Sequence, residues 1–217
     1  MDERGARILA AAAGLILRFG YDKTTMSDVA TEAAVSKSTL YQYWRSKDEL
    51  FRALLLQETL LLVDDWLLKV RQDPDGGTLH GIYRHGYTAL LEHPLMHALY
   101  TKESQTLGSY VRHQDPEAHV RPYLLNRGLV RSLQAAGLVR QDIREEVITH
   151  ALMIISVGLF STPELLPQSV VPPFGDVAEA LAHMVQAAFA PSPTGDSQRG
   201  KEALETFLHR LITKEGA

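Results

Sequence analysis

The chain has 217 residues, 45% of them hydrophobic and 22% charged, a globular composition that excludes global disorder. It contains no cysteine, which excludes disulfides, thiolate-held metals and thiol redox sensing. A formal charge of −4 excludes a uniformly basic nucleic-acid coat but allows a local basic face.

The sequence opens Met1-Asp2-Glu3, without the basic start of a signal peptide. Its apolar stretches at 8–19 and 151–160 fall short of the ~20 residues that span a bilayer. A soluble, cytoplasmic protein with no membrane partner is expected. Residues 1–53 hold eight Lys/Arg against seven Asp/Glu, and residues 54–217 hold fourteen against nineteen, so the N-terminal part is the less acidic.

Ile8, Leu9, Ala12, Leu15, Ile16 and Phe19 recur on one helical face, and Gly20 stops that helix. Thr25 with Asp28 forms a capping box that opens a helix over 26–33. Ser36 caps a third helix that runs to about Trp44. Ser46 with Glu49 is a second capping box, opening a long helix from Lys47 to about Val70 that ends at Asp73-Pro74-Asp75-Gly76-Gly77. Further helices are predicted at 78–92, 95–102, 104–113, 117–136, 141–160, 176–189 and 200–213, with Gly137 as a stop. Pro163, Pro167, Pro172 and Pro173 make 161–175 a loop, and Pro191, Pro193 and Gly195 make 190–199 a second one. No alternation argues for a sheet, so the fold class is all-α.

The second and third helices are joined by the short turn Ala34-Val35-Ser36, which is helix-turn-helix spacing. In that geometry the third helix enters the major groove. Leu40 and Trp44 face inward with Val29, Ala30 and Phe19, which leaves Lys37, Ser38, Thr39, Tyr41, Gln42 and Tyr43 for the outer surface. Ser, Thr and Gln hydrogen-bond base edges. Thr25, Tyr43 and Lys47 stand at helix starts or flanks, where phosphates are met. Few cations are present on this side: Lys23, Lys37, Arg45 and Lys47, against Asp22, Asp28 and Glu32.

From Ile8 to Leu55 the sequence resembles the DNA-binding domain of TetR-type transcriptional repressors. The resemblance rests on Phe19-Gly20-Tyr21, on Thr24-Thr25-Met26-Ser27-Asp28-Val29-Ala30, on the run from Ala33 through Ser36-Lys37-Ser38-Thr39-Leu40-Tyr41-Gln42-Tyr43 to Trp44, and on Ser46-Lys47-Asp48-Glu49-Leu50. Two positions depart from the usual pattern: Ala34 stands where Gly is frequent, at a cost if its φ is positive, and Trp44 stands where Phe is usual. The resemblance implies an Ω-shaped helical homodimer on a palindromic operator, repression without ligand, and release by a small-molecule effector. By the same analogy, base contacts fall to Lys37, Ser38, Thr39, Tyr41 and Gln42, and phosphate contacts to Thr25, Tyr43 and Lys47. The same fold used as an activator or a co-repressor-dependent regulator is the alternative.

A division into a DNA-binding domain over 1–46 and a ligand-binding and dimerisation domain over 47–217 follows. Pocket candidates in the latter are Trp66, Tyr83, Tyr87, Met96, Leu99, Tyr100, Tyr110, Tyr123, Arg127, Met153, Val157 and Phe160, a lining suited to a largely apolar or aromatic effector. Dimerisation is expected through the helices near 141–160 and 176–189, with apolar faces of Val147, Ala151, Ile154, Ile155 and Gly158 on one and Val177, Ala180, Leu181, Met184, Val185 and Ala188 on the other. His93 and His97 stand four apart, but Pro94 makes His93 a boundary residue and no carboxylate joins them, so neither metal nor cofactor is expected. The adjacent pairs Asp64-Asp65 and Glu145-Glu146 point to different sides of a helix, and no phosphate-binding glycine loop or nucleophile elbow is present. Catalysis is therefore not expected.

Overall fold

The computed structural model describes residues 2–101, 104–112, 116–192 and 195–215. The described residues form α1 (Glu3–Phe19), α2 (Met26–Glu32), α3 (Lys37–Tyr43), α4 (Lys47–Gln72), α5 (Leu79–Glu92), α6 (Pro94–Thr101), α7 (Ser104–Arg112), α8 (Pro116–Ala135), α9 (Glu145–Leu165), α10 (Phe174–Phe189) and α11 (Ser197–Glu215), with no strand among them. The backbone divides into two compact units, Met1–Leu61 with His93–Asp115, and Leu62–Glu92 with Pro116–Ala217. The boundary therefore falls inside α4 rather than at residue 46. The first turns of α4 bury Leu50, Phe51 and Leu54 in the core of the helix-turn-helix and cannot be separated from it.

In the first unit, α1 turns Ile8, Leu9, Ala12, Leu15 and Ile16 onto Val29, Ala30 and Ala33 of α2 and Leu40 of α3. Leu95, Ala98 and Leu107 from α6 and α7 complete the same core. Phe19 departs from expectation: it is 56% exposed, with the Arg18 guanidinium 5.4 Å from its ring centroid. It is the last residue of α1, and the positive φ of Gly20 (83°) reverses the chain and sends Tyr21 inward in its place. Trp44 is only partly buried against the core.

The helix caps read from the sequence are present. Thr25 and Asp28 close a reciprocal capping box, and the Thr39 amide donates to Ser36 Oγ at 3.0 Å. At α4 the Glu49 amide donates to Ser46 Oγ at 3.1 Å, but the Glu49 carboxylate takes the Arg45 amide (2.6 Å) instead of that of Ser46. Ala34 sits at φ 52°, so the turn accepts a Cβ in the left-handed region.

In the second unit, α10 packs along α5, and α9 lies against α8 and α10. α8 ends as expected at Gly137 (φ 76°), where the Leu138 amide reaches the Leu133 carbonyl (2.9 Å) and the Gly137 amide reaches Gln134 (3.0 Å). α9 differs from the predicted 141–160 at both ends. Residues 141–144 stay irregular because the Gln134 amide group bonds the carbonyls of Arg140 and Ile143 (3.0 and 3.3 Å). The helix also runs through Pro163 to Leu165, since a proline in a final turn gives up one amide bond without blocking the turns before it. This makes 145–163 the one segment, among the described residues, long and apolar enough to cross a bilayer by length and composition. Ile148, Leu152, Leu159 and Phe160 are nonetheless buried in the protein core. The predicted ends of the sixth and seventh helices at 102 and 113, and 193–194 of the second loop, lie outside the described residues.

Candidate nucleic-acid interface

Seven residues are too few for an isolated helix to persist in water. α3 is held by the burial of Leu40, its one buried side chain, and by the Ser36 cap. Around that anchor Lys37, Ser38, Tyr41 and Gln42 are exposed, and Thr39 and Tyr43 are half-exposed. Tyr41 keeps 49% of its surface open. The hydroxyls of Ser36, Ser38 and Thr39 gather at the helix start, with Ser36 Oγ 2.8 Å from each of the other two.

The three residues assigned to phosphates are placed differently. Thr25 lies at the start of α2, where its hydroxyl donates to Asp28 (2.7 Å) and accepts from the Asp28 amide (3.2 Å). Tyr43 donates to Asp2 Oδ2 at 2.6 Å. This bond holds the Asp2 carboxyl below its ordinary range and pushes the Tyr43 phenol up. Asp2 also accepts from the Gly5 amide (2.8 Å), so one side chain caps α1 and ties it to the end of α3, a role that residue spacing did not reveal. Lys47 is turned inward, with Nζ donating to the Tyr21 carbonyl (2.6 Å) and lying 4.0 Å from the Tyr21 ring centroid. Burial lowers its pKa, partly offset by Asp22 and Asp48.

The first unit has an aromatic joint behind this surface. Tyr21, Phe51 and Tyr110 pack tilted or edge-to-face at 4.5–5.5 Å between centroids. The Tyr21 hydroxyl donates to Asp48, and burial followed by that bond pushes the phenol upward. The Tyr21 amide reaches the Thr106 carbonyl (2.8 Å), and the Asp22 carboxylate accepts the Ser109 amide (3.0 Å). Gly108 breaks α7 at φ 50°, and a Cβ there would run into the Asp22 carboxylate.

The twelve predicted pocket residues are shared between the units. Met96, Leu99, Tyr100 and Tyr110 fall in the first. Leu99 and Tyr110 pack on its core, and Met96 Sδ lies 3.8 Å from the Thr59 hydroxyl. The other eight fall in the second. There Tyr83 and Tyr87 (5.9 Å), Tyr87 and Phe160 (6.3 Å), and Phe160 and Phe174 (5.6 Å) form an aromatic ladder, buried except at half-buried Phe174. Trp66 Nε1 donates to the Ile82 carbonyl at 3.0 Å. Met153 is half-buried and Val157 is exposed. Arg127 is engaged by Glu145 (2.6 Å) and Glu146 (2.7 Å). Together with Arg131, first, it holds the Glu145 carboxyl at about 2. Tyr123 lines an open groove of about 490 Å³ with Val147, His150, Ala151 and Ile154.

The family model of the bacterial regulatory proteins, tetR family, matches residues 8–54. Over these residues the chain is similar to the tetR family. The DNA-binding transcriptional repressor TetR of Mycobacteroides abscessus is 29% identical over 161 residues, covering 70% of this chain and 84% of that protein. The transcriptional activator FasR of Mycolicibacterium smegmatis is 39% identical over 71 residues, 33% of this chain and 31% of its own length. Among solved structures, the transcriptional regulator FadR of Bacillus subtilis in complex with stearoyl-CoA superposes with a TM-score of 0.61 at 14% identity, covering 84% of this chain and 97% of that one. At that identity the shared property is the tetR-type fold.

Proposed function

We propose that the protein is a transcriptional repressor that binds a palindromic operator as a homodimer and leaves it when a small, largely apolar or aromatic effector binds. The observation that carries the reading is α3, a helix with Leu40 as its one buried side chain, whose outer face offers Lys37, Ser38, Tyr41 and Gln42 to a partner. Serine and glutamine read base edges, and the lysine supplies charge. The match to a named repressor over most of both chains supports the direction of regulation.

Two recognition helices must reach half-sites about 34–36 Å apart, so a dimer is needed. A face for it is open. Val147, Ile154 and Val157 on α9 are exposed, Ile154 at 63%, and Met184 on α10 is 59% exposed. Val185, expected on that face, is buried in the chain's own core and drops out of the set. The effector acts on a two-state equilibrium, and it must bind the released state a few kcal/mol more tightly. The chain crosses between the two units at Leu61/Leu62 in α4, at Glu92/His93 and at Asp115/Pro116, and these are its covalent routes for such a signal.

The test is fluorescence anisotropy of the full chain on DNA from upstream of its own gene, beside a scrambled duplex, in the cytoplasmic salt range. Saturable, sequence-dependent binding that stearoyl-CoA or another apolar ligand reverses supports the proposal. Binding that requires the added ligand favours a co-repressor-dependent regulator. Equal binding by a Tyr41→Ala variant removes α3 as the reading element.

A further inference from the structure

The pairing of α5 with α10 buries Ala178, Ala182 and Val185 of one helix and Leu79, Ile82 and Tyr83 of the other. At its edge the His80 amide donates to Gln186 Oε1 (2.8 Å), which fixes the register of the two helices. That register brings three donors together. His80 Nε2 lies 3.0 Å from Glu179 Oε1, and His183 Nδ1 lies 3.4 Å from the same oxygen. All three ligand atoms fall within 4.8 Å of one another, and the two imidazole rings are 4.3 Å apart.

We propose that His80, Glu179 and His183 bind one divalent transition-metal ion of the zinc type, with water completing its coordination. Two imidazoles and a carboxylate suit zinc, nickel or copper; magnesium and calcium prefer oxygen alone. Bonds of about 2.0–2.1 Å in a tetrahedral shell set donors about 3.3 Å apart, close to the spacing already present. The carboxylate is also steadied from behind. Its second oxygen faces Arg84 Nε at 3.7 Å, and Arg84 is itself paired with Asp73, which accepts from His85 (2.9 Å) as well. Such outer partners orient metal-binding carboxylates. His183 Nδ1 lies 3.0 Å from the Glu179 carbonyl, so its imidazole exchanges that backbone hydrogen bond for a metal bond. His183 is exposed and Glu179 half-exposed, which gives an ion access from solvent. Bound there, the ion clips α5 to α10 and stabilises the folded chain by mass action.

The full chain, first stripped with a chelator, is titrated with Zn²⁺ by calorimetry and melted with and without it. Co²⁺ serves as a spectroscopic probe of geometry. One tight equivalent per chain, a raised Tm and a tetrahedral Co²⁺ spectrum are expected. His183→Ala, at an exposed position that leaves the core intact, should weaken that equivalent at least about tenfold, a loss that even outer-shell changes produce. Glu179→Gln should do the same, and His97→Ala should not. Zinc binding and Tm shifts unchanged in His183→Ala and Glu179→Gln, or no tight equivalent in the intact protein, overturn the site. None of these readouts involves DNA.

Discussion

Leu40→Ala isolates what holds α3 in place. α3 has seven residues, and a helix that short does not persist alone, so tertiary burial must supply its stability. Leu40 is fully buried among the side chains of α1, α2 and α4, and no other side chain of α3 is buried. Truncation to Ala removes its contacts and leaves a cavity, at a cost of about 2–5 kcal/mol. The Ser36 cap contributes about 1 kcal/mol and cannot replace it. Amide hydrogen exchange of a peptide spanning 36–44 should therefore accelerate by about 30-fold to several thousand-fold, at 1.4 kcal/mol per tenfold step. Amides of α5 and α10, in the other unit, should exchange as before. If the amides of α3 keep their protection in Leu40→Ala, the helix is held by something other than this burial, and the reasoning fails.

Other substitutions test separate parts of the account. Ala34→Gly relieves a positive φ and should stabilise the protein by up to about 1 kcal/mol, seen as a rise in Tm. Gly200→Ala should destabilise it by several kcal/mol in urea melts, because the new Cβ meets the Gly77 carbonyl at the start of α11. Asp2→Ala removes an α1 cap yet frees the Tyr43 hydroxyl and deletes a negative charge beside α3. DNA affinity should rise by up to about fivefold while thermal stability falls. Glu145 is held at about 2, below its ordinary 4.5, by Arg131 and Arg127, so its ionised form is favoured in the fold. Its contribution is full above pH 4.5 and disappears as the pH falls toward 2. Urea midpoints of Glu145→Gln should therefore be flatter over that window than those of the parent.

The helix-turn-helix was legible because its signals are local. Capping residues three apart, a short turn and a helical apolar period lie within a few residues of each other, and Thr25, Asp28, Ser36 and Gly137 act as read. Misreadings arose where the answer depends on distant partners. Phe19 follows the apolar period of α1 but ends the helix and stays 56% exposed. Lys47 reads as a surface cation until Tyr21 is seen to accept it. The outward placement of Lys37, Ser38, Tyr41 and Gln42 could be read from Leu40 alone, since an inward residue fixes the rest of a single helix. The effector residues could not be grouped in that way. Aromatic content does not tell a pocket from a core: Tyr83 and Tyr87 are neighbours on α5, but Phe160 of α9 joins Tyr87 only through tertiary packing. Glu179 and His183 show ligand spacing in the sequence, but His80 joins them only through the register of two helices.

The central claim is sequence-specific DNA recognition by α3, and selection from random duplex DNA tests it most directly. The purified chain should enrich an inverted repeat whose half-site centres lie one helical turn, about 34–36 Å, or a multiple of it apart. A Tyr41→Ala chain that remains folded should lose the enrichment. No enriched sequence from the intact protein, with or without cell extract, or the same repeat enriched by Tyr41→Ala, would contradict the account.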